Sequence, residues 1–239
     1  MKRGRFWLLT CAACAGIVAT LALGAWQLGR AHEKLGLQAA MQEKKALPVL
    51  DQRALLATKN IAELLHRGVV LRGEWAARNT VFLDNRQMRG KPGFYVVTPL
   101  RLAGSDAAVL VQRGWVLRNF TDRAQLPPVE TPAGEVEVHG RIAPPPAKLY
   151  EFEAAAPGAI RQNLDLAAFR AETGLALLEA SVQQEGAASQ GLARDWPAVA
   201  SGVEKHYGYV FQWWALSALI AILYVWFQFI APRRQAARG

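Results

Sequence analysis

Four histidines, two cysteines and five serines are the side chains here best suited to nucleophilic or ligand chemistry, and their spacing decides which chemistry survives. None of Ser105, Ser181, Ser189, Ser201 and Ser217 stands in a Gly-x-Ser-x-Gly elbow, the sharp turn that exposes a nucleophilic hydroxyl. No glycine-rich strand–loop–helix fingerprint offers backbone N–H groups to a phosphate. His32, His66, His139 and His206 are scattered, with no pair three or four residues apart to give zinc two ligands from one helix face. Cys11 and Cys14 lie inside an apolar run and read as small packing residues rather than a redox pair. Glu151 and Glu153 invite an acid–base reading, yet loop acids beside Lys148 are ordinarily just solvated. Glu135 and Glu137 alternate on a strand with His139, as a solvent-facing row does. With no nucleophile–base pair, the chain reads as a non-enzyme.

His206 differs from the other three in its neighbours. Tyr209, Phe211, Trp213 and Trp214 come next, and no charge appears from Tyr207 to Ile230. At helical pitch His206, Tyr209/Val210, Trp213, Ser217, Tyr224 and Gln228 share one face. One reading is an interfacial histidine above an aromatic belt. The sharper one is an axial haem ligand, which needs a neutral imidazole, an apolar wall for the macrocycle and a polar edge for its propionates. Arg30 and Lys205 are the candidate propionate partners. His32, just outside the other apolar run, is a weaker candidate. His66 is expected to end a helix, where the C-terminal dipole favours it.

Two apolar runs must position this histidine. Phe6–Leu28 exceeds the core of a cleavable leader and is expected to remain as an anchor. The run from Tyr207 to Ile230 makes roughly 36 Å of helix, more than a hydrocarbon core of about 30 Å. Ala12, Gly16, Thr20 and Gly24 recur every four residues and form a ridge that a second helix can approach closely. The second run is one candidate occupant, and a subunit of another protein is the other. Trp26 and Gln27 are expected at the far interface.

Net charge is +9, but seven of the 28 basic residues (Lys2, Arg3, Arg5, Arg30, Arg233, Arg234, Arg238) flank the apolar runs with no acid among them. The stretch between the runs is nearly balanced, so the basicity is a membrane-topology signal and not a nucleic-acid footprint. Short basic ends imply cytoplasmic termini (1–5 and 231–239), spans at 6–28 and 206–230, and a domain at 29–205 across the membrane.

Inside that domain, Leu50–His66 has helical periodicity and stops before Gly68. Val69–Trp75, Thr80–Asn85, Phe94–Leu102, Ala107–Leu117, Glu135–Ile142 and Leu177–Gln183 read as six strands, and Leu164–Glu172 as a short helix ahead of Gly174. Ala103–Asp106 is a hairpin turn. The expected fold class is α+β: two transmembrane helices flanking a mainly antiparallel, partly barrel-like domain with one or two helices.

Arg72-Gly73, Leu83-Asp-Asn-Arg86, Lys91-Pro-Gly-Phe-Tyr95, Arg113-Gly-Trp-Val116 and Glu135-Val-Glu-Val-His-Gly140 resemble, in order and spacing, the Surfeit-locus family of cytochrome oxidase assembly proteins. Gly24-Ala-Trp-Gln-Leu-Gly-Arg30 and His206-Tyr-Gly-Tyr209 with Trp213 resemble that family's two membrane signatures. The resemblance implies a helper of cytochrome c oxidase assembly in a bacterial inner membrane, with its domain in the periplasm. It implies haem a as a transient cofactor, held by His206 against Tyr209 and Trp213 while subunit I matures. Implied partners are subunit I and haem a synthase, and a homo-oligomer is compatible. The alternative is a cofactor-free scaffold that clasps those partners through the Ala12/Gly16/Thr20/Gly24 ridge. Arg113 would organise the sheet, with partner docking as its second candidate role.

Overall fold

The computed structural model describes residues 3–122, 125–150, 158–196 and 202–236. It divides into two compact units, one built from the two ends of the chain (1–40 and 199–239) and one from residues 41–198.

The inner unit is a sheet that closes on itself. Its strands are β1 (Gly68–Trp75), β2 (Val81–Met88), β3 (Lys91–Leu102), β4 (Ala107–Leu117), β5 (Glu135–Ala143), β6 (Ile160–Arg161) and β7 (Ala176–Gln184). They run in the order β1-β5-β7-β4-β3-β2-β6, and β1 pairs again with β3, so five strands form a barrel with β2 and β6 appended to β3. Pairing is antiparallel except for β4–β7 and β2–β6. All six expected strands are present. The seventh, β6, is only two residues long and has no period to read.

β4 shows how the sequence builds this layering. From Ala108 to Arg113 it is buried on both faces. Val109 and Val111 enter the barrel interior with Leu71, Leu100, Val138, Ile142 and Val182. Ala108 and Leu110 face the other way, into a second cluster with Leu83, Val97 and Phe169. Phe169 comes from α3 (Leu166–Thr173), capped by Asp165 at its start and by Gly174 in the left-handed conformation at its end. A strand covered on both faces needs a continuous apolar run, and Ala107–Val111 supplies it.

Closure depends on Gly73. It lies opposite Val136 of β5 and also opposite Leu102 of β3. A Cβ at this position would come within 1.9 Å of the Arg101 carbonyl oxygen, so only glycine lets the two strands meet here.

The segment expected as one helix over Leu50–His66 is instead broken. Leu50 makes a parallel bridge to Val69, α2 is confined to Gln52–Ala57, and a 3₁₀ turn covers Ile61–Leu64. Two competing caps explain the break. Asp51 accepts from the Ala54 N–H at 2.8 Å, and Asn60 accepts from the Ala62 N–H at 3.2 Å, each starting its own short turn. His66 therefore ends no α-helix. It takes a left-handed conformation (φ 73°) at the entry to β1, and its N–H donates to the Ile142 carbonyl. Burial, then Arg141 and Lys44, hold its imidazole pKa below the usual value.

The outer unit contains all but the last six residues of α1 (Arg3–Ala46) and the whole of α4 (Val203–Val225), the latter running through a π turn (Trp226–Ile230) into α5 (Ala231–Ala236). Both helices are long and apolar enough to cross a membrane. The widened turn sits just ahead of Pro232, which lacks an N–H and whose ring crowds the carbonyl four residues earlier. α1 continues as helix well past the apolar run, through the charged stretch Arg30–Lys45.

Gly73→Ala is expected to destabilise the full-length protein by about 2 kcal/mol or more, because the clashing atom is backbone and cannot swing aside. The check is thermal unfolding in detergent, with Gly104→Ala as a contrast: that site has open space, and its φ of +71° makes the cost local strain only.

Candidate cofactor site on the helix seam

Within the outer unit, α1 and α4 pack antiparallel along a seam of small and polar residues. The Thr10 hydroxyl meets the Tyr224 hydroxyl at 2.7 Å. A Cβ at Gly16 would touch Ile220, and one at Gly24 would run into the Trp214 indole. As numbers rise along α1, their partners fall along α4. Thr20, Gly24 and Ala31 are the buried positions of α1, and Val203, Val210 and Ser217 those of α4. The sevenfold spacing of the α4 set, in a helix of 3.6 residues per turn, is the mark of a close left-handed pair. Thr20 returns its hydroxyl to the carbonyls of Gly16 and Ile17, which spares it a partner in the apolar phase.

The ridge read from the sequence is thus largely this seam. Gly16, Thr20 and Gly24 lie on it, and α4 already covers them, so they present no free docking face for another protein. Ala12 falls off the seam and is exposed, with Ala13 partly buried nearby. The physical reason is the 3.5-residue seam period, which drifts away from a strict four-residue repeat.

His206 occupies the seam one turn beyond Val210. Its Nδ1 lies 2.6 Å from Oε1 of Gln27. A carboxamide oxygen carries no proton, so with that oxygen toward the ring the contact favours the tautomer that donates from Nδ1, whose Nε2 would keep its lone pair. This is the arrangement in which metal-binding histidines are held: one ring nitrogen fixed by an acceptor, the other available as ligand. On the same helix, Tyr209 is 50% exposed and Trp213 partly buried, whereas Phe211, 75% exposed, stands about 140° around α4 from His206. Trp214 is turned instead toward Gly24.

The other candidates are placed less favourably. His32 is exposed, and five residues beyond Gln27 it points about 140° away around α1. Arg30 makes an exposed ion pair with Glu33 at 2.7 Å, so a propionate there would compete with a carboxylate already in place. Lys205 is exposed on the first turn of α4. Glu151 and Glu153 lie outside the described residues. Glu137 receives both Arg72 and His139 on the solvent face of β5, which keeps its carboxyl below the usual range, first through the Arg72 hydrogen bond.

Arg113, in the inner unit, is fully buried. It donates to Thr131 Oγ1 (2.7 Å), the Glu130 carbonyl (2.5 Å) and Gln190 Oε1 (2.7 Å), and lies 4.7 Å above the Trp75 ring. Burial, then Arg194, lowers its pKa to about 10, so it stays charged at neutral pH. Enclosed in this way it has no surface to offer a partner. It ties the 130–131 and 190 loops to β4, the organising role of the Arg-Gly-Trp stretch. Trp115 completes that role, donating from its indole to the Arg86 carbonyl at 2.9 Å.

Gln27 is the residue of the candidate site that local sequence pattern does not single out. Its position beside Trp26 suggests an interface anchor. Trp26 is 59% exposed and fits that description, whereas Gln27 turns inward to His206. The one available signal is a lone carboxamide at the polar end of an otherwise uncharged run.

Two apolar antiparallel helices with a histidine on their seam, and a closed five-stranded barrel, define an α+β protein with two candidate membrane helices. The chain belongs to the SURF1 family, which it matches over residues 14–218. It is 30% identical over 134 residues to Surfeit locus protein 1 of Arabidopsis thaliana, covering 52% of this chain and 38% of that protein. A SURF1-like protein of Drosophila melanogaster is 28% identical over 244 residues, covering 90% of this chain and 75% of that one. The cytochrome oxidase assembly protein SHY1 of Saccharomyces cerevisiae is 27% identical over 94 residues, covering 39% of this chain and 24% of that one. The chain therefore spans less than half the length of several curated relatives it matches.

Gly24→Leu should separate α1 from α4 at Trp214 and lower the thermal stability in detergent by about 1–3 kcal/mol. Gly29→Leu, with nothing within 4 Å of its Cβ, should leave stability within about 0.5 kcal/mol of the parent.

Proposed function

We propose that this protein serves the assembly of cytochrome c oxidase by holding haem a at His206 and passing it to subunit I as that subunit matures. Membership of the SURF1 family and similarity to the yeast cytochrome oxidase assembly protein SHY1 support the assembly reading. The observation that carries the haem reading is the Gln27–His206 hydrogen bond. It fixes the imidazole through Nδ1 and leaves Nε2 as the free donor, while Tyr209 and Trp213 give the flanking apolar surface.

Haem a is cargo here. When bound, it would contribute an iron that accepts a nitrogen lone pair; everything else is the work of this chain. Gln27 fixes the ring, the α1–α4 seam fixes Gln27, and the exposed aromatic flank keeps the site open on one side. An open, single-histidine site suits a carrier, since cargo held by few contacts can be released to an acceptor that binds it better. The positive-inside pattern supports a bacterial inner-membrane setting with both termini cytoplasmic and the barrel in the periplasm.

The cofactor-free scaffold reading is less favoured. The ridge it would use, Gly16/Thr20/Gly24, is taken up by α4, which leaves only the outward faces of the helix pair for a partner such as subunit I or haem a synthase.

The test is pigment retained on gentle detergent purification from cells that make haem a. His206→Ala is expected to lose the haem a spectrum with the helix pair intact. Gln27→Leu is expected to weaken retention about tenfold or more, the usual cost of removing the group that orients a ligating histidine. His32→Ala should change nothing. Undiminished haem a in His206→Ala would remove the proposed ligand and leave the assembly role to protein contacts.

A further inference from the structure

The interior around Arg113 carries more donors than the fold uses. Every acceptor that Arg113 engages is neutral: a hydroxyl, a carbonyl and a carboxamide. Arg194 approaches from the segment after β7 and donates from Nε to the Arg113 carbonyl at 3.0 Å. Its Nη1 donates to the Ala187 carbonyl (2.5 Å) and to Ser189 Oγ (2.8 Å). Those partners are neutral too. Among the described residues no carboxylate pairs with either guanidinium.

Three buried N–H donors are left over in this group: Arg113 Nε, Arg194 Nη2 and Trp75 Nε1. Arg113 links them: its guanidinium lies over the Trp75 ring, and Arg194 holds its backbone carbonyl. Unmet buried donors are rare in folded proteins, and three grouped about one arginine ask for an acceptor. Charge narrows the choice. Two neighbouring guanidiniums, one wholly buried, repel each other in a region of low dielectric. A neutral acceptor could satisfy the N–H groups but not that repulsion. An anion does both.

We propose that Arg113, Arg194 and Trp75 hold a small inorganic anion of chloride size, enclosed between β1, β4 and residues 187–194. Two guanidinium N–H groups and an indole N–H, all donors and none solvent-exposed, form the kind of set that selects a compact, weakly hydrated anion. The occupant locks the segment after β7 onto the barrel, alongside the Trp115–Ala193 bridge. The site lies within the inner unit and is independent of the haem reading.

The test uses the full-length protein in detergent, unfolded thermally in sodium chloride and in sodium gluconate at constant ionic strength. Chloride should raise the Tm in a saturable way, and bromide should substitute for it, whereas gluconate is too large to enter. Arg194→Gln and Trp75→Phe should each move the chloride midpoint up by about tenfold or more, the loss expected for one charge-assisted or buried hydrogen bond. Arg113→Gln removes more of the fold, so the two milder variants carry the test. Equal Tm in chloride and gluconate, or variants with the parent's midpoint, would overturn the proposal and leave the donors to internal water.

Discussion

An imidazole and a carboxamide at the edge of an apolar phase cannot each be left alone, because an unmet polar group there costs several kcal/mol. Gln27 and His206 answer that constraint for each other. Their pairing also sets the register of the two long helices. With it in place, Trp214 falls over Gly24, Ile220 reaches Gly16, and Tyr224 meets Thr10. A shift by one turn would break the hydrogen bond at one end and bring a large side chain onto Thr20 in the middle. The small residues permit the approach, and the polar pair decides where along the helices it occurs.

The barrel obeys a parallel logic with different chemistry. Gly73 lets β1 and β3 meet where any larger residue would strike backbone. Arg113 then anchors from inside what the sheet's own ladder does not reach, the loops at 130–131 and 190. A buried cation is a costly tie, and replacing such a group by apolar side chains is often neutral or stabilising. Its presence here fits a role in specifying which loops sit against β4 rather than in adding stability.

Much of the architecture is legible from periodicity. The apolar runs, the six longer strands and the short helix ahead of Gly174 all carry a clear repeat or a clear stop. Leu50–His66 misleads because its helical pattern is real but interrupted by two polar caps, Asp51 and Asn60, whose local hydrogen bonds outweigh the pattern. β6 has too few residues for any pattern. At the site, His206 and its aromatic neighbours stand out because polar and aromatic groups are conspicuous in an uncharged run. Gln27 does not, since a hydrogen bond spanning 179 residues leaves no mark in local spacing. Arg113 is visible as a motif residue, but its complete burial depends on loops remote in sequence.

The proposed haem-holding role of His206 requires one tautomer of its ring. ¹⁵N resonances of the His206 ring, recorded in detergent or bilayers before and after addition of haem a, report it directly. The expected result is a proton on Nδ1 and a bare Nε2 in the free protein, with the Nε2 signal shifted or lost when haem a is added. A proton on Nε2, or a ring spectrum indifferent to haem a, would contradict the assignment of His206 as the haem-holding residue.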